Sequence, residues 1–130
     1  MAFLSPLKLV CALGEETYFV DAPFVYQQSA VPLTEYQRLR SLDIISVPKG
    51  FSTDFASIPK LFWNILSPES PHIREASVIH DWLYTQKVIY TRNQADEILR
   101  GAMLELGASR LLANLVYWSV RIFGGSHWKD

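Results

Sequence analysis

Thr91-Arg92-Asn93-Gln94-Ala95-Asp96-Glu97-Ile98-Leu99 carries the clearest structural signal in the chain. Thr91 followed three residues later by Gln94 matches a capping box, in which each side chain satisfies a backbone N–H of the other's residue. Behind it, Ala95, Ile98, Leu99, Ala102, Met103 and Leu106 recur at helical spacing, and Gly107 supplies a left-handed terminator. The stretch predicts an amphipathic helix with a defined start and end.

Working outward, a second helix is expected from about Ser109 to Phe123, stopped by Gly124-Gly125. Leu111, Leu112, Leu115, Val116, Ser119 and Val120 would lie on one side of it. Upstream, a helix from about Pro71 to Gln86 would use Ser70 as N-cap and Pro71 as its first residue. A shorter one would run from Ile58 to Leu66, with Pro59 in its first turn.

The first third has a different texture. Leu7–Cys11 and Thr17–Tyr26 are rich in β-branched and aromatic residues, with Gly14-Glu15 suited to a turn between them. Pro23 marks an edge or bend in the second run. Val31 to Leu42 reads either as a loop or as a short helix through Tyr36 and Leu39. Asp43–Val47 reads as a strand closed by Pro48-Lys49-Gly50. These elements predict an α+β fold, a small N-terminal antiparallel sheet packed against three to four C-terminal helices. The chain reads as one domain, 1–130, mainly β and loop over 1–50 and mainly helical over 51–130.

Composition fits that expectation. Of 130 residues 49% are hydrophobic and 19% charged, ample material for a core. Four Trp, six Tyr and seven Phe could fill it or leave a surface for a partner or a second copy. A formal net charge of −1 argues against nucleic acid, whose binding rests on many Lys and Arg contacts to phosphate. Arg110, Arg121 and Lys129 read as a solvated helix face rather than a basic patch. Cys11 is the single cysteine, read as a buried strand residue, so no intramolecular disulfide is possible. No run approaches the ~20 apolar residues of a membrane span, and no targeting signal precedes the first strand. Synthesis and folding in a cytoplasm are expected.

Chemistry, if present, is expected where GFSTDFASIP (Gly50–Pro59) meets IHDWLY (Ile79–Tyr84). On a helix, His80 and Tyr84 share a face and Asp81 lies about 100° away. His80 with Asp81 could ligate a divalent metal, zinc for example, or His80 could act as a general base oriented by a carboxylate. Asp54 could add a third metal ligand, or simply cap a helix. Ser57 could be a nucleophile if His80 stood beside it. Asp96 has a plain explanation as a first-turn acid. It could equally reach His80 and fix its tautomer, because the Thr85–Tyr90 connection is short enough for antiparallel helices. The opposing interpretation is that all these residues form a local or buried polar network with no chemistry.

Together VPKGFSTDFASIPKLFW, IHDWLY, TRNQADEIL and a final helix with Tyr117, Val120, Arg121 and Phe123-Gly124 resemble one family. Its members are small uncharacterised proteins of tailed phages, prophages and bacteria, catalogued as domain of unknown function thirteen fifty-three. The resemblance spans about Asp43 to Gly124. It implies a phage or prophage gene, expressed in the bacterial host cytoplasm, from the class that serves virion assembly or lysis. HDWLY followed by a helix-borne Asp also resembles the secreted-type, calcium-dependent phospholipases. That likeness implies His80 as base, Asp81 as a calcium ligand, and Tyr84 and Asp96 as support; Thr53, next to Asp54 in the GFSTDFASIP segment, is a further support candidate. The sequence lacks the glycine-rich calcium loop and the disulfides of those enzymes.

Two functional expectations follow. One is a hydrolase-like domain, metal-assisted by calcium or zinc, acting on lipid ester or peptidoglycan of the cell envelope, with His80, Asp96 and Ser57 catalytic and Asp54, His80 and Asp81 on the metal. The other is a non-enzymatic tail or baseplate protein whose partners are other virion proteins.

Overall fold

The computed structural model describes residues 3–11, 17–53, 73–126 and 128. The fold is α+β, with antiparallel strands in the N-terminal part and three described helices in the C-terminal part. Its contacts group into two compact units, Met1–Asp54 and Phe55–Asp130.

In the first unit, β1 (Leu9–Cys11) pairs antiparallel with β2 (Tyr18–Val20), which pairs on its other edge with β5 (Ser52–Thr53). The second sheet joins β3 (Phe24–Gln27) to β4 (Ile44–Val47), with Phe24 opposite Val47 and Tyr26 opposite Ile45. The expected Thr17–Tyr26 strand is thus two strands in different sheets, divided at Asp21-Ala22-Pro23 where proline cannot donate to a ladder. Phe24, Tyr26, Ile45 and Val47 are buried, the inward half of a period-two pattern. Cys11 corrects its sequence reading. It is exposed, as is Val10, at the end of β1, the edge strand of its sheet.

The ambiguous segment contains a short helix, α1 (Glu35–Leu39). Its capping box uses Thr34 and Gln37, the same device as at Thr91. Gly50 follows β4 at φ +94°, a left-handed conformation that favours glycine, and its N–H reaches Val20 O at 2.7 Å.

In the second unit, α2 (Arg74–Leu83), α3 (Arg92–Glu105) and α4 (Arg110–Phe123) pack with α3 touching both others. α2 starts later than expected. The residue in its cap position is Ile73, which has no side-chain oxygen to offer, and Ser70-Pro71 lie outside the described residues. So does the expected Ile58–Leu66 helix.

α3 follows its sequence closely. Gln94 N donates to Thr91 Oγ1 at 3.0 Å and Thr91 N to Gln94 Oε1 at 3.0 Å. Gly107, at φ +95°, closes a Schellman motif with Ala108 N to Met103 O and Gly107 N to Leu104 O.

α4 departs from its expected orientation. Ala113, Val116, Ser119 and Val120 are buried, while Leu111 and Leu115 point outward. The helix is apolar on most of its circumference, so periodicity alone did not choose the face against α3. Among the described residues no helix is long and apolar enough to cross a membrane.

Candidate functional site: a buried histidine–aspartate cluster

His80 faces inward from α2, and Tyr84 sits one turn later at the C-cap. The short Thr85–Tyr90 connection lets α3 return alongside, so its second turn meets the end of α2. Asp96 lies on the buried face of α3, beside Ala95 and Leu99, with no exposed surface. A carboxylate in such a place must be fully hydrogen-bonded or strongly paired.

It is both. Oδ1 lies 2.7 Å from His80 Nε2 and accepts from the Tyr84 hydroxyl at 2.5 Å. Oδ2 accepts from an Arg121 guanidinium nitrogen at 2.9 Å, from the last turns of α4. Arg92, one helical turn before Asp96, has its Nε 3.9 Å from Oδ2 and donates to the Tyr84 oxygen at 3.3 Å. The same Arg92 donates to Val120 O at 2.7 Å and Arg121 O at 2.8 Å, satisfying carbonyls at the end of α4. Three helices therefore converge on one carboxylate.

Closer contacts fix the rings. The His80 and Tyr84 rings lie 4.2 Å apart, and Trp128 meets Tyr84 edge-on at 5.0 Å. Gly124 sits against the tyrosine, where an added Cβ would lie 3.1 Å from its hydroxyl.

The electrostatics follow from this geometry. Burial raises the Asp96 pKa, but the hydrogen bond and charge of His80, then the bonds from Tyr84 and Arg121, outweigh it and hold the carboxyl below its ordinary value. Tyr84 moves the other way. Burial, then its hydrogen bond to Asp96, push its phenol well above the ordinary range. In the tautomer that carries its proton on Nε2, the ring donates that proton to Oδ1. His80 Nδ1 then carries a lone pair. That atom is buried and has no hydrogen-bond partner among the described residues. A ring nitrogen in this state is a competent general base or metal donor.

The structure thus brings together three of the residues picked out by sequence: His80, Tyr84 and Asp96. Asp81 follows His80 on α2 and is part-exposed. Thr53 is the buried last residue of β5, in the first unit. Asp54 and Ser57 lie outside the described residues. As a metal site the described set is thin. Both Asp96 oxygens are engaged, and no group of three His, Cys, Asp or Glu among the described residues could hold an ion.

Sequence reasoning missed Arg92 and Arg121 as members of the cluster. Arg92 had a signal, its i,i+4 spacing from Asp96. Arg121, read as part of a solvated helix face, is instead turned to Asp96; its place in the family pattern was a signal, but no spacing gives its partner, which depends on how α4 packs.

No curated protein and no solved structure matches the chain. A family described as protein of unknown function (DUF1353) matches residues 18–120, a span that includes every described member of the cluster except Arg121 and the flanking Gly124 and Trp128. The chain belongs to the DUF1353 family.

Proposed function

We propose that the chain is a phage- or prophage-encoded hydrolase-like domain in which His80 is the general base. The observation that carries this reading is the asymmetry of the His80 ring. One nitrogen is held by a carboxylate that is itself fixed by Tyr84 and Arg121, and the other is a buried nitrogen without a partner among the described residues. A base oriented this way removes a proton from water or a hydroxyl while Asp96 stabilises the imidazolium that forms. Asp96 and Tyr84 act as positioning residues. The substrate class is an ester or amide of the cell envelope, a lipid ester or peptidoglycan. Ser57 as nucleophile extends the same reading, whereas calcium or zinc held by Asp54, His80 and Asp81 is its alternative, because a lone pair given to a metal cannot also take a proton. Each requires GFSTDFASIP to deliver its residues to Nδ1.

The test is hydrolysis of phospholipid, peptidoglycan and simple ester substrates by the purified chain, with calcium, with zinc and with a chelator. Activity lost in His80→Gln while the fold persists supports the reading. Turnover unchanged in that variant rejects it.

A second reading has its own observation. His80 and Asp96 have no exposed surface, as expected of a network that only fixes helix packing. In that case the chain is a tail or baseplate component. Its presence in purified virions, with no hydrolysis of any substrate, would favour this reading.

A further inference from the structure

The outer face of α4 carries Leu111, Leu115, Trp118 and Ile122, with Phe123 beside them, each between 48% and 71% exposed. Their spacing of four, three and four residues is that of a coiled-coil seam. The five side chains offer on the order of 600 Å² of contiguous apolar surface, at the upper limit of what a soluble monomer ordinarily shows. We propose that this face binds the same face of a second copy, through an antiparallel two-fold pairing of α4 with α4. The inference is independent of whether His80 has an activity.

Three features select a second copy as the occupant. First, the stripe is its own complement. It is symmetric about the point between Val116 and Tyr117, so a two-fold axis there sets Leu111 against the partner's Ile122 and Leu115 against the partner's Trp118. An isologous contact requires this property, whereas a foreign surface does not.

Second, the charges fit. α4 contains no Asp, Glu or Lys, and of its two arginines Arg121 is turned to Asp96. The other, Arg110, is exposed at the start of the helix, and the antiparallel register places it beside the C-terminal end of the opposing helix. A cation is favoured there by the helix dipole. With a formal charge of −1 per chain, two copies repel little.

Third, the area is close to what association needs, roughly 800 Å² per partner in a standard interface. Trp118 near the centre is the residue type that most often dominates such contacts.

Light scattering and sedimentation of the full chain should show a dimer at micromolar concentrations. Leu115→Glu and Trp118→Glu should each raise its dissociation constant about tenfold or more. Both side chains are exposed, so circular dichroism should show the helices intact.

Register is tested by cross-linking in a Cys11→Ser background. Leu111→Cys mixed with Ile122→Cys should form a disulfide-linked dimer under mild oxidation. Neither variant alone should, because the antiparallel register holds like positions roughly 16 Å apart along the axis. A monomeric wild type overturns the proposal, as does a dimer that survives both glutamate variants, or cross-linking of either cysteine variant with itself. A monomer that binds anionic vesicles, and loses them with Trp118→Glu, overturns it in favour of a lipid surface.

Discussion

Arg121 donates to Oδ2 of Asp96 across 2.9 Å, and this bond ties the last turns of α4 to the second turn of α3. On the opposite oxygen of the same carboxylate sit His80 and Tyr84. The orientation of His80 is therefore set jointly by all three helices, and loss of the central charge should be felt in each.

Asp96→Asn tests that dependence. The amide keeps the shape but removes the negative charge, leaving Arg121 and Arg92 without their anion and presenting an N–H to at least one donor. Breaking a buried pair from one side costs about 3–5 kcal/mol. Chemical denaturation should show a loss in that range. Arg121→Ala should cost less, about 1–3 kcal/mol, because its side chain is partly solvated. Equal stability of the Asn variant and the wild type would mean that the cluster does not hold the helices together.

Gly124→Ala tests the packing against Tyr84. Gly124 has an ordinary φ of −78°, so backbone strain is absent. The new methyl would lie 3.1 Å from the Tyr84 hydroxyl, whose position is fixed by Asp96. Over-packing of this kind costs about 1–3 kcal/mol. The thermal midpoint should fall, and the tyrosine near-ultraviolet signal should change with it.

Much of the second unit was legible in the sequence because its signals are local. The Thr91–Gln94 box, the Gly107 terminator and the stripe of α3 are complete within a few turns of chain, and each appears where expected. The pairing of His80 with Asp96 was legible too, since a short connection forces two helices side by side. The face of α4 was not. Leu111 and Leu115 look like core residues by periodicity, yet Ala113 and Val116 face α3, a choice made by the fit between helices. Close helix approach with small residues at the contact has no period to read. Arg121 belongs to the same blind spot, as its partner lies 25 residues away in another helix. The split at Pro23 was half legible: proline announced the break but not that the two halves join different sheets.

Within the cluster, Asp96 and Tyr84 set opposite limits on stability against pH. Asp96 has a folded-state value below its unfolded one, so its contribution is complete above about pH 4 and is lost as pH falls through the lowered value. Tyr84 has a folded-state value above its unfolded one, so its contribution is complete below about pH 10 and is lost as pH rises through the raised value. Denaturation midpoints should therefore form a plateau through neutral pH with a fall at each end. Tyr84→Phe should lower the plateau, reduce the slope of the alkaline limb and, because Asp96 loses one of the bonds that hold its carboxyl down, shift the acid limb to slightly higher pH. An unchanged alkaline limb in that variant would show that Tyr84 does not titrate with unfolding.

The two readings of His80 separate most sharply in a pair of substitutions. His80→Ala removes a buried ring, leaves a cavity and deprives Asp96 of a donor, at a cost of about 2–5 kcal/mol. His80→Gln can still donate an amide N–H toward Asp96 Oδ1 while filling most of the space. It should recover the greater part of that loss. What glutamine cannot supply is the basic lone pair of Nδ1. If the ring is a base, the glutamine variant folds near wild-type stability and has lost hydrolysis by at least about a hundredfold. If the ring is only a strut, the glutamine variant retains whatever the wild type does, including assembly into virions. Stability from denaturation and function from substrate turnover or particle incorporation, measured on the same preparations, distinguish the two. A glutamine variant that fails both measurements would show that the imidazole geometry itself holds the fold, and the general-base reading would then need a probe of Nδ1 by NMR, in which a pH-independent, protonated Nδ1 would rule it out.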